Sequence, residues 1–95
     1  MNIKITSSGE NYVDIAPVRA VFYDSNNCNT MKATIEDNLS NSCLVRFYLM
    51  YLADDTFITL YHGTCTISGE NYTNWDNSNE YIYQYVATVK GLTIL

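Results

Sequence analysis

Cys43-Leu-Val-Arg46-Phe47-Tyr-Leu-Met-Tyr-Leu52-Ala-Asp54-Asp55-Thr56-Phe57-Ile-Thr-Leu-Tyr-His62-Gly-Thr-Cys65-Thr-Ile67 is the stretch that decides the fold. From Cys43 to Leu52 both parities are apolar, and Arg46 is the only charge. A central strand covered on both faces has this pattern. Asp54-Asp55 marks a tight turn, because aspartate tolerates positive φ, and Thr56 to Ile67 returns as the partner strand. A loop of two or four residues sets one register, pairing Leu52 with Phe57 and Phe47 with His62. Val45, Phe47, Leu49, Tyr51, Ile58, Leu60 and His62 then share one face. Leu44, Tyr48, Met50, Leu52, Phe57, Tyr61 and Cys65 share the other. Cys43 and Cys65 fall on opposite faces in this register, so they should not bond.

Toward the N-terminus, Ile3 and Ile5 alternate with polar neighbours and predict a short strand ending at Ser7–Asn11. Tyr12 to Ile15 is extended before Pro17, which lacks a ladder donor and belongs at a strand start or an edge. Val18 to Tyr23 reads as a second strand and Asp24 to Asn29 as a loop. Met31, Ala33 and Ile35 alternate with Lys32, Thr34 and Glu36, giving a strand with one wet face. Asp37 to Ser42 is a polar loop.

Toward the C-terminus, Ser68 to Asn77 reads as a long polar loop. A helix is predicted over about residues 78–90. Ile82, Tyr85, Val86 and Val89 make its apolar stripe, Asn77 with Glu80 resembles a capping pair, and Gly91 suits the end. Leu92 to Leu95 closes as a short strand. The expected architecture is α+β: one antiparallel sheet or sandwich of roughly six strands with one C-terminal helix. An all-β sandwich, with residues 80–90 as a strand, is the competing fold.

The 95 residues form a single domain, 1–95, with 47% apolar residues, so disorder is not expected. Ten acidic against five basic residues give a net charge of −5, which disfavours nucleic acid and anionic membrane as partners. No stretch approaches the roughly 20 apolar residues of a membrane span. The opening Met-Asn-Ile-Lys-Ile-Thr carries no secretory pattern, and three widely spaced cysteines are not a disulfide framework. Both points suggest synthesis in a reducing cytoplasm. An AT-rich genome would supply Asn, Tyr and Ile, but it would also raise lysine, and only Lys4, Lys32 and Lys90 occur.

Little here is suited to catalysis or metal binding. His62 is the only histidine, no nucleophile elbow accompanies it, and a packed or half-buried strand position beside Phe47 is expected for it. His62 and Cys65 are three apart on a strand and point to opposite faces, so they cannot share an ion. Asp24-Ser-Asn26-Asn opens like a calcium loop, but the sixth and twelfth positions are Asn29 and Ile35 rather than Gly and Glu. Asp76, Ser78 and Glu80 suit a weak ion or, equally, a helix start. The expectation is no enzyme, no cofactor and no metal.

Aromatic contact is what remains. Ser8-Gly-Glu-Asn-Tyr12 recurs as Ser68-Gly-Glu-Asn-Tyr72, either one turn solution used twice or two contact loops each ending in a tyrosine. Tyr81 and Tyr83 flank the helix stripe, and Trp75 precedes its cap. Tyr and Trp give large, stiff contact area with a polar end. Trp75 could equally fold back as a staple under its own helix. Ile94 and Leu95 should pack on a sheet, either this molecule's or a neighbour's. Tyr12, Tyr72, Trp75, Tyr81, Tyr83 and Leu95 are therefore the candidate interface residues.

The run Asn71-Tyr-Thr-Asn-Trp75-Asp-Asn-Ser-Asn-Glu80-Tyr-Ile-Tyr-Gln-Tyr85-Val-Ala-Thr-Val-Lys90-Gly-Leu-Thr-Ile-Leu95 resembles small proteins of tailed bacteriophages. These tend to close with a Trp- and Asn-containing loop, a short aromatic helix and a Gly-Leu-then-β tail. The resemblance covers about the last quarter of the chain and transfers no catalytic residue. It implies a virion component, a capsid auxiliary or head–tail protein, whose partners are other virion proteins, including copies of itself. A soluble phage inhibitor of one host protein is the alternative.

Overall fold

The computed structural model describes residues 2–19, 27–54 and 56–95. Its strands are β1 (Lys4–Ile5), β2 (Asn11–Val18), β3 (Cys28–Asn38), β4 (Ser42–Ala53) and β5 (Thr56–Ser68). They form one antiparallel sheet in the order β1-β2-β3-β4-β5, so each strand pairs with its neighbour in the chain. Helices α1 (Gly69–Asn74) and α2 (Asn79–Lys90) come after the sheet. The fold is therefore α+β and mainly β, and the helix at 79–90 excludes the all-β alternative.

Several boundaries differ from expectation. Among the described residues the sheet has five strands, and the predicted final strand is a single antiparallel bridge joining Ile94 to Ile15. The predicted loop over 68–77 contains α1, and β3 takes in Asp37 and Asn38 from another predicted loop. The predicted strand Val18–Tyr23 and loop Asp24–Asn29 fall partly outside the described residues; within them, Val18 ends β2 and Cys28 opens β3. Pro17 lies near the end of β2, beyond the two residues that β1 pairs, Asn11 and Tyr12. The β2–β3 register shifts between Asp14 and Val18, so Pro17, with no N–H to give, sits where the ladder is already irregular.

The β4–β5 hairpin corrects the expected register. Its turn is tight, with Ala53 opposite Thr56 and Asp54 at φ 51°. Leu52 pairs with Phe57 and Met50 with Thr59, as expected, but Leu49 pairs with Tyr61. One extra residue in β5 is thus accommodated at Leu60, a bulge. Beyond it every side chain of β5 changes face: Phe47 meets Gly63, Tyr48 meets His62, and Val45 meets Cys65. Cys43 and Cys65 therefore share a face as diagonal neighbours, and both are free thiols.

The core lies between one face of the sheet and α2. Val13, Ile15, Met31, Val45, Phe47 and Ile67 are each at most 1% exposed and pack in one cluster with Ile82, Tyr83 and Val86. Each of the larger ones contributes roughly 1.5–3 kcal/mol through burial. The stripe of α2 is Ile82, Tyr83, Val86 and Ala87, rotated from the expected one, and Val89 is 50% exposed. Helix α2 begins at Ser78, whose hydroxyl accepts from Tyr81 N–H at 3.2 Å. Ser78 thus takes the cap expected of Asn77. At the other end, Gly91 is left-handed and Leu92 N–H reaches the Ala87 carbonyl at 2.8 Å.

The opposite face carries a smaller cluster at one end. Tyr12 and Phe57 belong to strands that a flat sheet would hold about 14 Å apart. Their ring centroids nevertheless lie 5.2 Å apart, edge to face. The sheet curls there, and Met50, on that same face, is only 3% exposed.

Candidate functional site

Every tyrosine from α1 onward reaches an acceptor within the chain. The Tyr72 hydroxyl lies 3.0 Å from Asn38 Oδ1 and 2.9 Å from the Leu39 carbonyl, tying α1 to the β3–β4 turn. Tyr81 reaches Asn71 Oδ1 at 3.5 Å, joining α2 to α1. Tyr83 donates to the Asn11 carbonyl at 3.3 Å, and Tyr85 donates to the Thr66 carbonyl at 2.7 Å. Burial pushes the Tyr83 phenol above its ordinary range, so it stays a neutral donor there. The hydroxyls of Tyr72, Tyr83 and Tyr85 fasten helix to sheet, and that of Tyr81 fastens one helix to the other. Asn and backbone carbonyls, both plentiful acceptors in this chain, receive them.

Trp75 is a staple. It is 9% exposed, its Nε1–H donates to the Ser78 carbonyl at 3.2 Å, and its ring meets Tyr72 at 5.9 Å. Asp76 Oδ1 accepts from Ser78 N–H at 3.0 Å, so Asp76 and Ser78 shape the entry to α2. Those bonds hold the Asp76 carboxyl below its usual range.

The six candidate interface residues therefore do not gather on one surface. Trp75 and Tyr83 are buried inside the chain, and neither offers area to a partner. Tyr12 is half-buried on the curled face against Phe57. Tyr72 and Tyr81 are half-buried around α1. Leu95 is 69% exposed, although its N–H is held by the Asp14 carbonyl at 2.9 Å.

The face away from α2 is laced with ion pairs. Lys4 meets Asp14, Lys32 meets Glu10 at 3.8 Å, and Arg46 grips Glu36 through two nitrogens at 2.7 and 3.1 Å. His62 is exposed on this face beside Tyr48, not packed by Phe47, and Arg46 Nη1 lies 3.4 Å from its Nδ1. A guanidinium only donates, so Nδ1 is the acceptor in that contact. Among the described residues no group of three or more His, Cys, Asp or Glu is placed to hold a metal. No helix among them is long and apolar enough to cross a membrane.

An open apolar strand edge lies outside the six candidate interface residues. Strand β5 ends the sheet order, so among the described residues no strand pairs with its outer edge. Its 13 residues, TFITLYHGTCTIS, contain no Asp, Glu, Lys or Arg. On its helix side Ile58 is 48% and Tyr61 46% exposed, and the neighbouring rim of α2 adds exposed Val89 and half-buried Tyr85. A sequence signal existed: a charge-free strand followed directly by helix, in an up-and-down sheet, has nothing left to pair with. The register error at Leu60 concealed it, by turning Tyr61 to the wrong face.

Comparisons with protein-family models, with curated proteins and with solved structures return no match.

Proposed function

We propose that this chain is a non-enzymatic structural or assembly protein of a bacteriophage particle, a capsid auxiliary or head–tail component. It works through protein–protein contacts after synthesis in the host cytoplasm. The observation that carries the reading is strand β5, free of Asp, Glu, Lys and Arg, where Ile58 and Tyr61 lie about half exposed in a chain of net charge −5. Exposed apolar side chains grouped together are the usual mark of a protein contact. The likeness of residues 71–95 to small phage proteins supplies the setting. The internal tyrosine ties support it too, since they hold a small domain rigid and only that of Tyr85, to Thr66 near the end of β5, touches this strand.

Mass spectrometry of purified particles is the test. The reading expects this chain in them at a stoichiometry well above trace. Absence from particles, together with co-purification with a host protein, would replace it by the inhibitor alternative.

A further inference from the structure

We propose that the cleft between the β3–β4 turn, α1 and the entry to α2 binds a neutral saccharide. Ser40 and Asn41 of the turn, Glu70 and Tyr72 of α1, and Trp75 and Asn77 before α2 line it. Its volume of about 790 Å³ is that of a small-molecule site. The aromatic wall is fixed in place. The Tyr72 hydroxyl is tied to Asn38 and Leu39, which holds the turn against α1, and Trp75 is pinned to the Ser78 carbonyl. The polar groups are unused. Neighbouring Asn38, Asn71 and Asp76 all bond within the chain. The side chains of Ser40, Asn41, Glu70 and Asn77 make no hydrogen bond or ion pair with another described residue.

The lining selects the chemistry. Of the described residues that line the cleft none is Lys, Arg or His, and Glu70 carries the only charge. A phosphate or a carboxylate would meet repulsion there and no cationic partner. No group of three or more metal-ligating side chains is placed there among the described residues. A simple ammonium would use Glu70 and leave the amides idle. A sugar ring uses everything present. Its hydroxyls both donate and accept, as do the Asn41 and Asn77 amides and the Ser40 hydroxyl, while the Glu70 carboxylate accepts. Its C–H faces suit the apolar surface of Tyr72 and Trp75. Glycosidases generally need two carboxyl groups flanking the bond, and this lining has one, so the cleft holds a sugar without cleaving it. It takes no lining residue from β5, and so stands or falls apart from the contact reading.

Amide chemical shifts of the isotope-labelled whole chain test this, in titrations with maltose, lactose, cellobiose, mannobiose and chitobiose at millimolar concentrations. At least one sugar should saturably shift Asn41, Glu70 and Asn77 and change the fluorescence of Trp75, the single tryptophan. Asn41→Ala and Glu70→Gln should each weaken that binding about tenfold, by removing or weakening hydrogen bonds to the sugar. Thr64→Ala, exposed on β5 and outside the cleft, should leave it unchanged. Silence toward every sugar overturns the proposal, as does an affinity indifferent to both cleft substitutions. Inorganic phosphate, tetramethylammonium and N-methylacetamide stand for anionic, cationic and peptide ligands. Cleft shifts with any of these, and none with the sugars, overturn it equally. Should a cleft variant fail to fold, the wild-type shift map decides. Shifts confined to the cleft support the site, and shifts centred elsewhere reject it.

Discussion

Ser78 and Asn77 divide the start of α2 between them. Ser78 caps the helix through its hydroxyl, while Asn77 makes the reversal before it at φ 65°. Ser78→Ala should cost about 1 kcal/mol in chemical denaturation. Asn77→Gly should cost only a few tenths, because glycine takes positive φ freely. Equal losses would show that the cap had been misassigned. Spacing alone placed the cap within one residue but could not choose, since Asn and Ser both cap well and only backbone conformation separates them. On the open face, the bidentate bond from Arg46 holds the Glu36 carboxyl below its ordinary range. A carboxyl depressed in the folded state adds stability above its unfolded pKa and loses it as pH falls through the lower folded value. The melting temperature should therefore drop below about pH 4, and Glu36→Gln should flatten part of that drop. Parallel pH profiles for the two proteins would refute the assignment.

At the scale of elements, the hairpin shows how one residue redirects a strand. Alternation correctly set the faces of β4 and the pairing next to the turn. It failed beyond Leu60 because a period of two has no way to announce an inserted residue. The bulge leaves a chemical signature. It puts Cys65 on the helix side, half-buried near Cys43, and burial pushes both thiols up. Native protein should thus react slowly with a thiol reagent, Cys65 ahead of Cys43, and all three cysteines should react rapidly once unfolded. Fast native labelling of Cys65 would place it on the open face and restore the unbulged register. Gly63 belongs to the same account, since a methyl group there would lie 3.0 Å from the Phe47 ring. Gly63→Ala should accordingly destabilise by about 1 kcal/mol or more. The repeated Ser-Gly-Glu-Asn-Tyr word is a second case of local pattern falling short. Both copies use glycine at positive φ, Gly9 at 89° and Gly69 at 60°. The first nevertheless closes a turn, with Glu10 N–H bonded to Thr6 Oγ1 at 3.0 Å, and leads into β2. The second opens α1. Five residues specify the reversal, and the residues after them, Val13 and Ile15 or Asn74 and Trp75, decide which element it joins.

Across the whole molecule, the α+β class, the antiparallel strands and the C-terminal helix were legible because long patterned segments dominate the chain, whereas the choice between one sheet and a sandwich was not. Placement of the contact surface was not. Tyrosine content suggests adhesion, but a hydroxyl that finds an Asn or a carbonyl at home is a fastening, and no composition reveals which tyrosines have found one. Replacing Tyr83 by Phe should consequently cost about 1 kcal/mol of folding stability. The same change should leave the mass in solution untouched, which separates internal fastening from adhesion. The two borders of the sheet also differ in a way that bears on growth. Beside β2, short β1 and the Ile94 bridge occupy one border, and β5 leaves the other bare. A subunit with two bare borders could add neighbours indefinitely and build a fibre. Here the β1 border offers only two residues, one of them Lys4, so it is the weaker of the two places for another strand to add.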